Sequence, residues 1–277
     1  MKAAFLTKHG GNEVLAVGEL PDPVPGPGEV LGGVRAAALN RLDVFVRNGI
    51  PGVPVPFPHV PGADGCGVVE ALGPGVSGLA EGDRVVLQPG LSCGRCEFCV
   101  DGETSLCVDY GILGEHRAGT LAGKVVVPAR NAWKAPARLS DEEAAAFPLA
   151  AMTAWRMLVT RAAIRPGESV LIHGIGGGVS VYALQIARLA GAGLVVATSG
   201  SEAKLEAALK MGADVALDYR SVDVGKKVRE LTGKRGVDVV VDSVGAATWR
   251  ASLTAAAKKG RIVTCGATSG PNPEEEI

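Results

Sequence analysis

The chain has no apolar run long enough to span a bilayer, which excludes a membrane-spanning helix. Its first residues, MKAAFLTKHGGNEVL, hold too short an apolar stretch for a secretory signal peptide. An excess of one charge is also missing. Lys and Arg number 28, Asp and Glu 29, and the formal net charge is −1. No block of Lys or Arg marks a surface for nucleic acid or anionic membrane, and neither is expected as a partner. The densest basic stretch, KKVRELTGKR (226–235), fits a solvated helix face. No internal repeat is visible. Cysteine is scarce, and four of the six cysteines fall within residues 93–107. Clustering of that kind favours metal binding over disulfides and fits a cytoplasmic protein. What remains is a globular composition, 47% apolar over 277 residues, enough for about two domains.

The two halves differ in texture. Residues 1–138 are rich in Pro and Gly and carry short β-like runs at 29–39, 65–72, 83–88 and 123–129. Turn signals such as PDPVPGPG (21–28) and GPGVSG (73–78) separate them. One helix is expected at RLDVFVRNG (41–49), closed by its glycine. From residue 139 the pattern changes. LSDEEAAAF (139–147) carries a capping box, Ser140 with Glu143, and a second helical stretch follows at 150–162. Strand candidates at 169–174, 194–198, 215–219, 237–245 and 261–266 then alternate with helical segments at 179–191 and 201–212. Such alternation predicts an α/β fold with a doubly wound parallel sheet over 139–277, beside a β-rich domain over 1–138. The acidic end, PNPEEEI (271–277), reads as a frayed tail.

Glycines 174, 176, 177 and 178 stand between the first strand of the second half and its helix, followed by Val179. Glycine there lets the backbone approach a pyrophosphate, and the helix N-terminus favours its charge. The alternative is an ordinary tight strand–helix turn. The next strand lacks the acid that would bind a ribose 2′-hydroxyl: Ser199 stands in its place, with Ser201 and Lys204 nearby. A 2′-phosphate meets no repelling carboxylate there, so NADP is expected ahead of NAD. Alternatively, the serines merely cap the next helix.

Cys93, Cys96, Cys99 and Cys107 have C-x2-C-x2-C-x7-C spacing. Four thiolates make a closed tetrahedral zinc site with no position for substrate. One structural zinc per chain is therefore expected. Cys66 and Cys265 sit in apolar runs and read as core residues.

Taken in order, NRLDVFVRNG (40–49), PHVPGADGCGVVEALGPGV (58–76), CGRCEFC (93–99), GTLAGKVVVP (119–128), TAWRML (153–158), VLIHGIGGGVS (170–180) and VVVDSVG (239–245) resemble the medium-chain dehydrogenase/reductase superfamily. The resemblance implies a GroES-like catalytic domain, a Rossmann cofactor domain and hydride transfer in the cleft between them. Zinc alcohol dehydrogenases of this superfamily carry a Cys near residue 40, a His–Glu pair near 63–64 and a further ligand near 150. This chain has Asn40, Ala63, Asp64 and Ala150, and one carboxylate cannot replace that set. His59 reads as a turn residue. The catalytic zinc is expected to be lost while the cysteine lobe is kept, as in a zinc-independent quinone oxidoreductase. Ser180 replaces a customary glycine. The usual sixth strand of the cofactor domain is missing, so a truncated chain without the family dimer is expected and its oligomeric state is left open.

By resemblance, Asn40 and Asp43 line the catalytic cleft, Asn40 as a hydrogen-bond donor and Asp43 as the orienter of Asn40 or of a bound water, although either can simply cap the 41–49 helix. Thr153 is implied on the nicotinamide phosphate side, Tyr219 on the adenosine side, and Ser243, Val244 and Gly245 beside the nicotinamide. The expected activity is NADPH-dependent reduction of a quinone, an enone or a related carbonyl compound, a small-molecule substrate. The competing readings are a zinc-type alcohol dehydrogenase or aldehyde reductase, and a non-catalytic NADPH-binding relative or redox sensor.

Overall fold

The computed structural model of the chain describes residues 1–273. The acidic residues 274–277 of the expected tail lie outside them. The chain divides into two compact units, residues 1–149 and 150–277. The division falls later than the change of texture after residue 138. The reason is helix Asp141–Ala145: Ala144 and Ala145 bury against Cys66, and Asp141 Oδ1 accepts a 2.6 Å hydrogen bond from Arg84 Nε.

The first unit is β-rich. Its strands are β1 (Lys2–Leu6), β2 (Leu15–Glu19), β3 (Glu29–Ala38), β4 (Asp64–Leu72), β5 (Arg84–Leu87), β6 (Gly90–Leu91), β7 (Gly111–Ile112), β8 (Lys124–Pro128) and β9 (Ala132–Lys134). Five of them form one antiparallel sheet in the order β8-β3-β4-β5-β9, and β1-β2 and β6-β7 pair separately. Val30, Val69, Val85, Leu87, Val125 and Val127 point from alternate positions into one core. The register of β3 against β4 shifts twice, at Leu31/Gly32 and Val34/Ala36, which bends the pair. The helices here are α1 (Arg41–Asn48), the short α2 (Glu97–Val100) and α3 (Asp141–Ala145). Gly49 closes α1 at φ 93°, a conformation that a side chain disfavours. Ser140 and Glu143 form the expected capping box at α3. The hairpin β1-β2 escapes the sequence reading because KAAFL and LAVGE are short and carry little alternation.

Helix α4 (Pro148–Trp155) runs on into a π-helical turn, Arg156–Arg161, in place of the regular helix expected to 162. The Ala162 N–H donates five residues back, to Met157, and Ala163 takes a positive φ of 47°. The second unit then follows as β10 (Ser169–Ile172), α5 (Gly178–Leu189), β11 (Leu194–Ser199), α6 (Glu202–Lys210), β12 (Val215–Asp218), α7 (Val224–Leu231), β13 (Val237–Asp242), α8 (Ala246–Ala255) and β14 (Ala256–Thr264). All strand pairs are parallel, in the order β12-β11-β10-β13-β14.

The β-strand period assigns the faces. Val170, Ile172, Val195, Ala197, Val239 and Val241 pack with Ala183, Leu184 and Ala187 of α5. Leu171, Val196 and Val240 face Val224 and Val228 of α7 on the other side, joined by Val237 through the irregularity between Val237 and Val239. Helices therefore cover both faces, and strand order reverses between β10 and β13. A ligand crevice belongs at the carboxyl ends of those two strands. One expectation needs correction. Cys265 lies just past the end of β14 and is exposed, whereas Cys66 is buried as expected.

A Cβ on Gly67 of β4 would collide with the backbone carbonyl of Gly33 on β3. Backbone cannot yield as a side-chain tip can. Gly67→Ala should lower the melting temperature by about 5 °C or more. Thermal unfolding checks this; an unchanged midpoint would mean that the strands have room to part.

Candidate functional site

The cysteine lobe hangs from β6 and β7. Short elements position its sulfurs: Cys96 precedes the single turn of α2, Cys99 lies within it, and Cys107 follows a 3-10 turn at Thr104–Leu106. The four Sγ atoms all lie within 4.8 Å of one another, with Cys93 and Cys99 4.0 Å apart. Four thiolates around zinc at ~2.3 Å stand about 3.8 Å apart, so this set fits the ion. Backbone N–H groups point at the sulfurs: Cys96 N at Cys93 Sγ (3.3 Å), and Cys93 N and Asp109 N at Cys107 Sγ (3.2 and 3.4 Å). The N–H groups of Arg95 and Cys96 pull the Cys93 thiol down to about 6, whereas Cys107, despite the Cys93 N–H, is pushed up to about 11 by burial and by the Cys93 and Cys99 thiols. Among the described residues this is the one convergent group of three or more metal-ligating side chains.

A second polar cluster sits at the start of α1. Asp43 Oδ2 accepts the Asn40 N–H (2.6 Å) and its Oδ1 accepts the Gly62 N–H (3.0 Å). Asn40 Nδ2 donates to Asp64 Oδ2 (2.8 Å), and a longer 3.5 Å contact runs to the Ala38 carbonyl. Asp64, at the first position of β4, is 1% exposed, and its Oδ1 accepts the Leu149 N–H at 2.8 Å. The capping expectation for Asp43 thus holds: as the third residue of α1 it accepts the backbone N–H of the N-cap, Asn40. Burial pushes the Asp64 carboxyl up to about 6, against the pull of the Asn40 amide and the Leu149 N–H. His59 is a buried turn residue with Nε2 2.9 Å from the Gly114 carbonyl.

The glycine loop leaves β10 in left-handed conformations, Gly174 at φ 65° and Gly176 at φ 102°, and Gly177 is the N-cap of α5. No side chain caps that helix, so the first-turn N–H groups contributed by Gly178, Val179 and Ser180 present an anion-binding end. This arrangement fits a dinucleotide pyrophosphate. Ser180 does not block it. Its hydroxyl is buried and donates back to the Gly174 and Gly177 carbonyls, 2.9 Å each, stapling the loop from below.

Around this loop the structure gathers several expected residues. A Cβ on Gly176 would lie 2.6 Å from Lys204 Cδ, so the lysine stem crosses the loop. A Cβ on Gly174 would lie 3.3 Å from Val244 Cγ2. Ser199 ends β11, and its hydroxyl accepts the Ser201 N–H at 3.3 Å; Ser201 is the N-cap residue of α6, but its side chain makes no capping bond. The exposed Tyr219 leans on Gly200, and its N–H donates to the Ser199 carbonyl at 3.3 Å. Thr153 lies on α4 and Ser243 just past β13. Three residues escaped sequence reasoning. Thr198 Oγ1 accepts the Gly174 N–H (3.2 Å), His173 lies 3.5 Å from that hydroxyl, and Asp242 is fully buried at the end of β13. The available signal for Asp242 was a carboxylate inside the apolar run VDVVVDSVG.

Comparison with known proteins adds to this geometry. A model of the alcohol dehydrogenase GroES-like domain matches residues 26–137, and one described as zinc-binding dehydrogenase matches residues 178–276. The chain is 37% identical over 252 residues to a zinc-type alcohol dehydrogenase-like protein of Schizosaccharomyces pombe, covering 89% of this chain and 70% of that protein. It is 32% identical over 268 residues to quinone oxidoreductase 1 of Escherichia coli, covering 95% and 72%. A crystal structure named as an NAD-dependent alcohol dehydrogenase superposes with a TM-score of 0.94 at 54% identity, covering 98% of this chain and 79% of that one. The chain belongs to the medium-chain dehydrogenase/reductase superfamily. It is an oxidoreductase of that superfamily, with a GroES-like domain and a Rossmann domain. The match named for zinc covers the Rossmann unit, whereas the four convergent cysteines lie outside it.

Two predictions follow from this geometry. Cys96→Ser should release the metal and lower thermal stability, with any loss of activity following the loss of structure. Metal analysis beside thermal unfolding checks this, and full metal retention would contradict it. The second concerns Asp64, which titrates near ~4 in an unfolded chain. The native state holds that proton more tightly, so its contribution to stability is lost as the pH rises from about 4 through 6, by about 3 kcal/mol in all. Asp64→Asn removes this dependence. Urea unfolding across that range should show the variant gaining on the parent as pH rises; a constant difference would contradict the assignment.

Proposed function

We propose that this chain transfers hydride from NADPH to a quinone, an enone or a related carbonyl compound, with one structural zinc and no catalytic metal. The observation that carries this reading is that Asp64 lacks the partner ligands an open metal site needs. It is the one carboxylate where zinc alcohol dehydrogenases hold their ligands, and both of its oxygens accept internal hydrogen bonds. Ala63 and Ala150 offer no donor atom, and Asn40 turns its amide towards Asp64. Bound NADPH would supply the hydride. Gly174–Val179 would hold its pyrophosphate, and Ser243–Gly245 would lie beside the nicotinamide. A conjugated acceptor spreads the incoming charge onto its oxygen, which needs a positioned hydrogen-bond donor more than a Lewis acid. Asn40 can be that donor. Its contact with Ala38 is long for a hydrogen bond, which leaves one amide hydrogen for substrate.

NADPH is favoured because β11 runs out into Ser199, Gly200 and Ser201 with no carboxylate, and Lys204 lies over the loop. The name of the 54%-identical structure favours a second reading, an NAD-dependent alcohol dehydrogenase. A cofactor-oxidation screen over quinones, enones and aldehydes separates the two. Turnover of quinones or enones with NADPH supports the proposal; turnover of simple aldehydes alone, with NADH, overturns it. Lys204→Ala should weaken NADPH binding about tenfold and leave NADH nearly unchanged. Equal losses for both cofactors would place the lysine on the pyrophosphate and not on a 2′-phosphate.

A further inference from the structure

Asp242 ends β13, beside the point where strand order reverses, and is 0% exposed. A buried carboxylate is tolerated only when its oxygens are satisfied. Here they are. Oδ1 accepts the N–H groups of Val244 (2.8 Å) and Gly245 (3.0 Å), and Oδ2 accepts the Ser252 hydroxyl (2.7 Å). The Thr248 hydroxyl lies 2.9 and 2.8 Å from the two oxygens. Ser252 and Thr248 belong to α8, so one side chain ties the loop after β13 to the helix that follows it. The tie has a directed result. Gly245 takes φ 89° with no space for a Cβ, and the Val244 side chain abuts Gly174 of the glycine loop. From the opposite side, Ser269 closes on the Val244 carbonyl with its N–H (2.8 Å) and its hydroxyl (2.7 Å).

We propose that Asp242 is a positioning residue for the dinucleotide: its carboxylate locks the 243–245 loop so that Val244 braces Gly174, and the two loops meet the cofactor as one preset floor. The proposal rests on the reading of the second unit as a dinucleotide site. Ordering that loop before binding removes an entropic cost that each binding event would otherwise carry. Thr198, which accepts the Gly174 N–H and lies 3.5 Å from His173, supports the same floor from β11. The lock itself reaches the glycine loop only through Val244, past the end of β10.

The test uses the full chain. NADPH and NADH are titrated by fluorescence, and amide hydrogen exchange is followed without cofactor, in the parent, Asp242→Ala, Thr248→Val and Thr248→Ser. Circular dichroism confirms that each variant is folded, and Thr248→Val serves if Asp242→Ala is not. The lock predicts that Asp242→Ala and Thr248→Val weaken both dinucleotides about tenfold and speed exchange at 244 and 245, with β10 unaffected. Thr248→Ser, which keeps the hydroxyl, should stay within about twofold of the parent. Faster exchange with unchanged affinity would overturn the proposal, because the lock would then serve the fold alone. Unchanged exchange would overturn it as well. A parent that binds neither dinucleotide would instead defeat the dinucleotide reading itself, a result visible before any variant is compared.

Discussion

A carboxylate removed from water must be protonated or fully accepted by donors, and two aspartates of this chain live under that constraint. Asp64 meets it in the first unit. The Asn40 amide and the Leu149 N–H hold its two oxygens, and Asp43 in turn fixes the Asn40 backbone. The start of β4, the start of α1 and the residue at 149 are thereby set relative to one another. An open metal site needs free ligand atoms and an open coordination position. Asp64 stands there without a set of partner ligands, since Ala63 and Ala150 carry no donor atom and Asn40 offers Asp64 its amide N–H.

The second unit obeys the same rule with a different outcome. Asp242 has enough donors that its carboxyl stays below the ordinary carboxylate range: burial alone would raise it, but the Ser252 hydroxyl and the N–H groups of Gly245 and Val244 outweigh that. A fully compensated charge of this kind rigidifies its surroundings. Its position matters because parallel strands place their loops at one end of the sheet, where the glycine loop and the 243–245 loop meet. The cysteine lobe follows a third logic. The lobe at 93–107 has little core of its own, and four sulfurs converging on one point replace hydrophobic packing as its organiser.

Much of this was legible in the sequence because the relevant signals are local. The C-x2-C-x2-C-x7-C spacing, the Ser140–Glu143 box, the glycine loop and the apolar runs of β10, β11 and β13 each declare themselves within a dozen residues. What stayed hidden depends on distant partners. AATWRASLTA carries no clear amphipathic period, and α8 is fastened instead by Thr248 and Ser252 bonding to Asp242. The strand β14 begins at Ala256, ahead of the apolar run at 261–264, because Ala256 pairs with Val237 before the register jumps to Arg261 opposite Val239, an irregularity in which Lys259 takes φ 65°. Asn40 was readable as a cap or as a donor, but its actual partner, Asp64, lies 24 residues away. Cys265 looked buried because RIVTCG is apolar, yet the strand ends one residue before it.

The central claim is that hydride transfer here proceeds beside a zinc that only holds structure. Metal content measured on protein that is turning over a quinone or an enone tests it most directly. The account predicts close to one zinc per chain, with turnover that continues when a chelator fails to strip the lobe. Close to two metal ions per chain, or instant loss of turnover on chelation while circular dichroism stays unchanged, would contradict it.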